Sequence, residues 1–212
     1  MNGDLSVDQQ LALTTAASRL QDRFSGVFSV ETIERFLYHS YDEFSGRAAV
    51  PQWLPLLAER FALQRLTALA RVEGRTDDTR PVVLFLCVHN AGRSQMALGF
   101  FEQLTDGAAI GWSGGSEPGG QVNPAAVLAM AERGIDISRE FPKPWTEEVV
   151  RAADVIITMG CGDACPVLPG KRYEDWQVAD PEGLDLIEVR AVRDDIERRV
   201  RQLIADVVPV AL

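Results

Sequence analysis

The feature that most constrains the fold of this chain is an apolar run that ends at a cysteine, with an arginine six positions later. Residues Val82–Leu86 are all Val, Leu or Phe, which is typical of a strand buried on both faces. Cys87 follows directly, and a helical pattern begins near Arg93. A strand, a short loop and a helix N-terminus in this order surround the cysteine with N–H donors suited to a tetrahedral oxyanion. The sequence therefore predicts an anion site with a nucleophilic thiol at its base.

Arg93 supports this interpretation because its guanidinium is a planar fork that can bind two oxygens of one oxyanion. Donors that hold an oxyanion also stabilise a thiolate, so such a loop suits both binding and attack. The alternative is a core cysteine at a strand end followed by an unrelated arginine, since Cys-x5-Arg also occurs by chance. The preceding strand, the following helix and the adjacent Ser94 favour the functional interpretation.

Two further cysteines, Cys161 and Cys165, follow a second apolar run at residues 153–157. Parallel strands open onto one crevice at their C-terminal ends, so we expect this pair to share a crevice with Cys87. An odd number of cysteines argues against a framework of static disulfides, and no apolar export segment begins the sequence. We therefore expect working thiols in a reducing cytoplasm.

Zinc binding is the competing interpretation of the cysteines. A closed zinc site needs four ligands, whereas the chain has three thiols and two histidines, His39 and His89. His39 lies beside the apolar stripe of a predicted helix, where a packing or surface role is expected. We therefore expect neither a metal site nor a cofactor.

The dipeptide Asp180-Pro181 supplies a third element. An Asp before Pro adopts an extended or turn conformation on a loop, and taken alone it is more often a turn than a catalytic group. A cysteine–arginine loop elsewhere in the chain shifts that balance, because displacement at an oxyanion centre needs a proton donor for the departing oxygen. Asp180 is therefore the candidate general acid.

From about Pro81 to Val208 the chain resembles arsenate reductases built on the low-molecular-weight tyrosine phosphatase fold, specifically the three-cysteine, thioredoxin-coupled branch. The matching motifs are, in order, residues 87–97 (CVHNAGRSQMA), 113–118 (SGGSEP), 122–124 (VNP), 134–138 (GIDIS), the two later cysteines and Asp180-Pro181. The resemblance implies that Cys87 is the nucleophile and that Asn90 and Ser94 hold the loop and the thiolate. The oxyanion-binding loop that it implies comprises Val88, His89, Asn90, Ala91, Gly92, Arg93 and Ser94.

The resemblance also implies a mechanism with arsenate as substrate. The Cys87 thiolate attacks arsenate, Asp180 protonates the leaving oxygen, and an arsenic adduct forms on sulfur. Cys161 then attacks Cys87 and arsenite leaves, after which Cys165 forms a Cys161–Cys165 disulfide that a thioredoxin-like partner reduces. Family members often carry a potassium-binding glutamate at the position of Leu98, and their cysteine pairs are often further apart.

Two other functions stay open at this point. A phosphatase of the same fold needs only Cys87, Arg93 and Asp180, and related tyrosine phosphatases tend to place tyrosines after Asp-Pro, where this chain has Glu182-Gly183. A sensor would bind arsenite on its thiols without turnover and would need no general acid. The reductant also stays open among thioredoxin, another dithiol protein and a small thiol.

The remaining pattern after residue 81 predicts the fold class. Strands are expected near residues 82–86, 109–112, 155–158 and 173–177, with helices between them and a last helix from about Leu186 to Asp206. Alternating elements of this length predict an α/β domain, 81–212, with a small four-stranded parallel sheet and helices on both faces. The net charge of −10 speaks against nucleic acid and anionic membranes as partners, and no apolar run approaches membrane-spanning length.

Residues 1–75 are predicted to form a separate all-α domain of three helices. Ser6 begins a capping box, Ser29 can cap a second helix, and a third runs from about Pro51 to Glu73. A DNA-binding helix-turn-helix is disfavoured because Arg and Lys do not cluster on any one helix. Segments of this kind resemble three-helix dimerisation domains.

The third helix carries two apolar stripes, which suggests that it has two buried faces. One stripe consists of Leu54, Leu57 and Phe61, and the other of Leu56, Leu63, Leu66 and Ala70. Two short neighbouring helices are expected to cover about one such face, and an apolar face left in water usually marks an interface. We therefore expect a homodimer formed through residues 1–75.

Overall fold

The computed structural model describes residues 5–46, 51–160 and 167–208. The chain divides into two compact units, residues 1–77 and 78–212. The boundary falls in the charged segment 73–80, whose composition is typical of a linker. Among the described helices, none combines the length and the apolar character that a bilayer-spanning helix needs.

The first unit consists of three α-helices whose starts follow from local capping. These are α1 (Val7–Arg23), α2 (Val30–Ser45) and α3 (Leu54–Val72), the last preceded by a 3₁₀ turn at Pro51–Trp53. The Ser6 hydroxyl accepts from the Gln9 amide at 3.2 Å, and the Gln9 side chain accepts from the Ser6 amide at 3.0 Å. Ser29 accepts from the Thr32 amide at 3.3 Å. Both predicted caps are therefore present.

Helix α3 contacts both other helices of this unit, and these also contact each other. Leu66 and Ala70 of its second apolar stripe are buried, Leu63 is partly buried, and Leu56 is exposed. The expectation that a whole second face stays uncovered is therefore wrong. The physical reason is that α1 and α2 both pack on α3 and together cover most of both stripes.

The core of this unit also holds a charged side chain. Arg65 is buried, with its guanidinium 4.7 Å from the ring centroid of Phe36 and 5.5 Å from that of Phe61. Its Nη1 lies 3.0 Å from His39 Nδ1. Because a guanidinium only donates, Nδ1 of His39 accepts this hydrogen bond. His39 is itself exposed and therefore supports the buried guanidinium from the surface of the bundle.

The second unit is built on a parallel sheet of four strands. The strands are β1 (Val82–Cys87), β2 (Ile110–Gly115), β3 (Val155–Met159) and β4 (Arg172–Asp175), in the order β2-β1-β3-β4. The helices are α4 (Arg93–Thr105), α5 (Pro124–Ala131), α6 (Glu147–Ala152) and α7 (Leu186–Val207). All six residues of β1 are buried, as the apolar run predicts for a central parallel strand. The predicted fold class is confirmed.

Strand register brings three strand ends together. Cys87 is paired with Gly115 of β2 and with Met159 of β3. The β2 strand runs three residues past the predicted end at residue 112, through Ser113, Gly114 and Gly115. These small residues lack the apolar pattern of a strand, so the sequence did not reveal that they pair with β1.

Aromatic side chains fix β1 against its neighbours. The Phe85 ring meets Phe101 of α4 edge to face at a centroid distance of 5.5 Å, and it lies 6.1 Å from Trp176. Such pairs contribute about 0.5–1.5 kcal/mol beyond the area they bury. The strand that ends at Cys87 and the helix that begins six residues later are therefore held by one core.

A carboxylate joins the end of α5 to α7. Glu132 accepts hydrogen bonds from Arg190 and from the buried Arg193, which also donates to the Ala129 carbonyl at 2.9 Å. Hydrogen bonding to Arg190, followed by that to Arg193, lowers the pKa of Glu132 from 4.5 to about 2. The ionised form is thus favoured by the folded state.

We predict that Glu132→Gln destabilises the second unit in a pH-dependent way. Because the folded pKa lies below the unfolded value, the stabilisation is complete above pH 4.5 and is lost as the pH falls through about 2. Urea unfolding of both chains from pH 7 to pH 2 should show a constant difference in midpoint down to about pH 5, then a shrinking one. A difference that persists unchanged at pH 2 would contradict the assignment.

Candidate active site

Cys87 lies buried at the base of a loop between β1 and α4. Residues 88–92 form the loop, and Gly92 precedes α4 without any side-chain cap on the first turn. The N–H groups of that first turn have no intrahelical acceptor. They form a positively polarised helix end beside the cysteine.

The loop turns its carbonyl groups away from the cysteine. They accept backbone hydrogen bonds from a following segment, namely Ser116 to Cys87 (3.3 Å), Glu117 to Val88 (2.9 Å), Gly119 to His89 (2.9 Å) and Asn123 to Ala91 (2.8 Å). The amides of residues 88–93 donate to no group in the described parts of the chain. Successive amides of this kind make an anion-binding concavity, as the sequence predicts for this loop.

Gly115 permits this close approach. A Cβ at this position would lie 2.6 Å from the Val88 carbonyl oxygen and 3.0 Å from Asn90. Both neighbours belong to the loop itself, so neither can move without reshaping it. The glycine at the end of β2 is therefore required by the backbone of the site.

Ser94 links Cys87 to the loop. Its hydroxyl oxygen lies 3.0 Å from Cys87 Sγ and accepts from Asn90 Nδ2 at 2.8 Å. Because Asn90 supplies the proton in that second contact, the Ser94 hydroxyl proton is left to donate to the cysteine. This arrangement suits a sulfur that carries negative charge, which is the form that attacks an electrophile.

Asn90 is fully buried and adopts a left-handed conformation, with φ at 47°. Its Oδ1 accepts from the Lys143 amide at 3.0 Å and from Gln95 Nε2 at 3.2 Å. Gln95 also donates to the Asn90 carbonyl at 3.0 Å. These contacts hold a backbone conformation that costs a non-glycine residue about 1–2 kcal/mol.

Arg93 and Asp180 lie together, as expected for two parts of one site. The buried Arg93 donates from Nη2 to Asp180 Oδ2. Arg93 Nε is buried and has no partner among the described residues. The guanidinium therefore keeps donor capacity for a bound oxyanion.

Pro181, the residue after Asp180, packs against the loop between β1 and α4. The Cγ atom of Pro181 is 2.5 Å from where a Cβ of Gly92 would lie, so the proline ring fills the space that the glycine leaves. Asn123 Nδ2 donates to the Pro181 carbonyl at 3.4 Å. The Asp-Pro turn thus brings the candidate acid to the cysteine–arginine loop.

Cys161 and Cys165 fall outside the described residues, so their predicted place in the crevice stays a prediction. The last described residue before them, Gly160, has a φ of 74°. A Cβ on Gly160 would lie 2.7 Å from Arg93 Nη1. Since consecutive Cα atoms are about 3.8 Å apart, the chain reaches Cys161 directly from this contact with Arg93.

Lys143 is a site residue that the sequence did not reveal. Its ammonium is buried, 3.2 Å from Ser113 Oγ and 3.8 Å from Glu140 Oε2, and it lies 4.8 Å from the Phe141 ring centroid. It stands between two prolines, a pattern typical of a surface loop. In the structure, however, the backbone amide of Lys143, between the two prolines, donates to the Asn90 side chain. Lys143 therefore lies next to the oxyanion loop.

Metal binding finds no support in the described residues. No group of three or more His, Cys, Asp or Glu side chains among them is arranged to hold an ion. Leu98 is buried, and one of its methyl carbons lies 2.6 Å from where a Cβ of Gly111 would be. The position therefore offers an apolar contact with β2 and no oxygen ligand.

We predict that Gly160→Ala weakens oxyanion binding about tenfold, the effect of losing one good hydrogen bond. The added methyl group would displace the Arg93 guanidinium. Gly170→Ala is the matched control, because Gly170 also has a positive φ (80°) but nothing within 4 Å of its Cβ position. Titration with inorganic phosphate measures both. Equal affinities for the two variants would show that the contact with Arg93 is irrelevant to binding.

Comparisons with known proteins agree with this geometry. Residues 13–70 match a family model described as the protein-tyrosine-phosphatase-like N-terminal domain. Residues 82–209 match that of the low molecular weight phosphotyrosine protein phosphatases. A solved structure of a Corynebacterium glutamicum thioredoxin-dependent arsenate reductase shares 40% sequence identity with a TM-score of 0.83, covering 94% of this chain and 97% of that one.

Two curated relatives match the second unit. The glutaredoxin arsenate reductase of Synechocystis is 39% identical over 128 residues, which are 59% of this chain and 97% of the relative. Arsenate reductase 1 of Staphylococcus epidermidis is 38% identical over 125 residues, which are 57% of this chain and 93% of the relative. With a family model that covers most of the chain and a cysteine–arginine loop of matching geometry, the chain belongs to the low molecular weight phosphotyrosine protein phosphatase family.

Proposed function

We propose that this chain is an arsenate reductase that takes its electrons from a thioredoxin-like dithiol protein. The observation that carries the proposal is the contact between Gly160 and Arg93, because it joins the oxyanion loop to the segment that bears Cys161 and Cys165. Relatives named arsenate reductases, one of them thioredoxin-dependent, support it. A phosphatase needs no cysteines in the segment that follows Gly160. The dithiol chemistry requires a reducing compartment, which favours the cytoplasm.

The first step uses the groups around Cys87. Arsenate binds to the loop amides and to Arg93, and the Cys87 thiolate attacks arsenic. Asp180 in its protonated form gives a proton to the departing oxygen, which leaves as water while the sulfur–arsenic bond forms. Ser94 holds the sulfur in place through its 3.0 Å contact. The loop donors stabilise the charge on the remaining arsenate oxygens.

The second step transfers two electrons to arsenic. The Cys161 thiolate attacks Cys87 Sγ, so a Cys87–Cys161 disulfide forms as the sulfur–arsenic bond breaks. The electron pair of that bond stays with arsenic, which leaves as arsenite. Cys165 then attacks Cys161 and releases the Cys87 thiolate, and a dithiol partner reduces the Cys161–Cys165 disulfide. Each cysteine thus has a separate task.

We predict that two cysteine variants separate the reductase from the other candidates. Cys87→Ser should abolish both arsenate reduction and hydrolysis of p-nitrophenyl phosphate. Cys161→Ser should abolish thioredoxin-coupled reduction but keep hydrolysis, because hydrolysis needs no second thiol. The assay follows NADPH consumption with thioredoxin and its reductase.

Three outcomes would contradict the proposal. Normal thioredoxin-coupled turnover by Cys161→Ser would contradict the proposed disulfide relay. Hydrolysis of the aryl phosphate without any arsenate reduction by the unchanged chain would instead identify a phosphatase. Arsenite that binds to the thiols but is never released over multiple turnovers would identify a sensor.

We also propose that the first unit forms a homodimer. Its exposed large apolar side chains include Val7 and Leu11 of α1, Trp53, and Leu56 of α3. Leu11, Trp53 and Leu56 line an open groove of about 550 Å³ between α1 and α3, with the Arg19–Glu59 ion pair on its wall. Exposed apolar clusters of this kind usually mark an interface. A second copy of the same groove, with apolar and charged parts of its own, is the proposed partner.

We predict that Leu11→Glu converts a dimer into a single chain, because the new charge would be buried without a partner. Light scattering at micromolar concentration should give twice 23.3 kDa for the unchanged chain and 23.3 kDa for the variant. Val30→Glu is the control, since Val30 is an exposed apolar residue of α2 that does not line the groove. A light-scattering mass of one chain for the unchanged protein would contradict the proposed homodimer.

A further inference from the structure

Three consecutive residues after β4 lie along one edge of the oxyanion loop. The contacts are Asp180 with Arg93, Pro181 with Gly92, and Glu182 with His89, whose Nδ1 lies 3.3 Å from Glu182 Oε2. The first contact belongs to the proposed chemistry. In the other two contacts, the side chains of Pro181 and Glu182 transfer no proton and bind no oxyanion oxygen in the proposed mechanism. The outermost of these contacts reaches solvent, since the side chains of His89 and Glu182 are 44% and 72% exposed.

The segment 180–182 is held rigidly against this edge. Asp180 Oδ1 accepts from the Glu182 amide at 3.1 Å, which closes a tight turn around the proline. Asn123 holds the Pro181 carbonyl from the other side. The proline ring occupies the space above Gly92 so closely that no Cβ would fit between them. The loop is therefore closed off where Pro181 packs on Gly92, and further out it is bordered by the exposed His89–Glu182 pair.

In the proposed first step, the position of Asp180 determines on which side of the site the leaving oxygen lies. A general acid must lie beside the leaving oxygen, because it donates its proton there. In inorganic arsenate the leaving oxygen carries at most a hydrogen. In a monoester the leaving oxygen carries the organic substituent, which must extend from the site on the side of Asp180. That is the side which Pro181 and Glu182 close.

We propose that the contact of Pro181-Glu182 with Gly92 and His89 is a substrate filter that favours unsubstituted tetrahedral oxyanions over their monoesters, whose hydrolysis it slows. The proposal rests on the proposed function for the identity of the oxyanion. To seat an aryl ester, the His89–Glu182 pair has to open, and an apolar ring has to lie against groups that lose part of their hydration. An unsubstituted oxyanion meets neither cost.

The His89–Glu182 ion pair can be removed as a test because it contributes little to the free energy of unfolding. Ion pairs between exposed side chains contribute small free energies, so removing one leaves the fold intact. Glu182→Ala removes the outer contact, and Glu182→Gln keeps an acceptor for His89 but loses the charge. Glu147→Ala is the matched control, since Glu147 is an exposed carboxylate 3.6 Å from Arg151 on α6 and outside the loop.

The experiment compares p-nitrophenyl phosphate hydrolysis with inhibition of that reaction by inorganic phosphate. Glu182→Ala should raise kcat/KM for the ester about tenfold, with the inhibition constant of inorganic phosphate unchanged. Glu182→Gln should show a smaller rise, and Glu147→Ala none. The filter is overturned if ester hydrolysis does not rise in Glu182→Ala, or if phosphate affinity changes by the same factor.

Failure of the filter and failure of the proposed function give different results. Arsenate reduction by the unchanged chain with thioredoxin tests the function alone, and Glu182→Ala should not alter its kcat/KM. The ratio of ester turnover to phosphate inhibition tests the filter alone, since neither measurement involves Cys161 or Cys165. A chain that fails to reduce arsenate but gains ester hydrolysis in Glu182→Ala would keep the filter and lose the reductase.

Discussion

The buried side-chain amide of Asn90 is the contact on which the geometry of this site depends. The nitrogen of this amide donates a hydrogen bond to Ser94, and its oxygen accepts hydrogen bonds from Lys143 and Gln95. It thereby connects the sulfur contact of Ser94 to the chain behind the loop. Because the backbone of Asn90 is left-handed, the loop is held by these hydrogen bonds against its own conformational preference.

The contact between Arg93 and Asp180 is compatible with the proposal that one site holds both an anion and an acid. Both groups face the same space, and each compensates the charge of the other while no oxyanion is bound. In the proposed reaction, an incoming oxyanion takes over donors of Arg93 and leaves the carboxyl of Asp180 beside the leaving oxygen. On that proposal, binding of the oxyanion and placement of the acid follow from a single exchange of partners.

Much of this arrangement could be predicted from the sequence, because it depends on local patterns. The apolar run before Cys87, the serine caps of α1 and α2 and the Asp-Pro turn each report a strand end, a helix start or a loop without reference to distant residues. Lys143 and Gln95 escaped prediction because their roles depend on tertiary contacts with Asn90. The extension of β2 through two glycines was missed for a related reason, since backbone pairing leaves no trace in an apolar pattern.

The pairing of Cys87 with Met159 has a consequence for variation in the chain that follows β3. Adjacent strands lie about 4.8 Å apart whatever their sequence, and Cys161 is the second residue after Met159. In the proposed relay, the chain towards Cys161 therefore starts from a strand end whose distance to Cys87 is set by the spacing of the sheet. The number of residues between Cys161 and Cys165 does not enter that distance. On this proposal, insertions and deletions between the two later cysteines leave the point at which the chain departs from β3 unchanged.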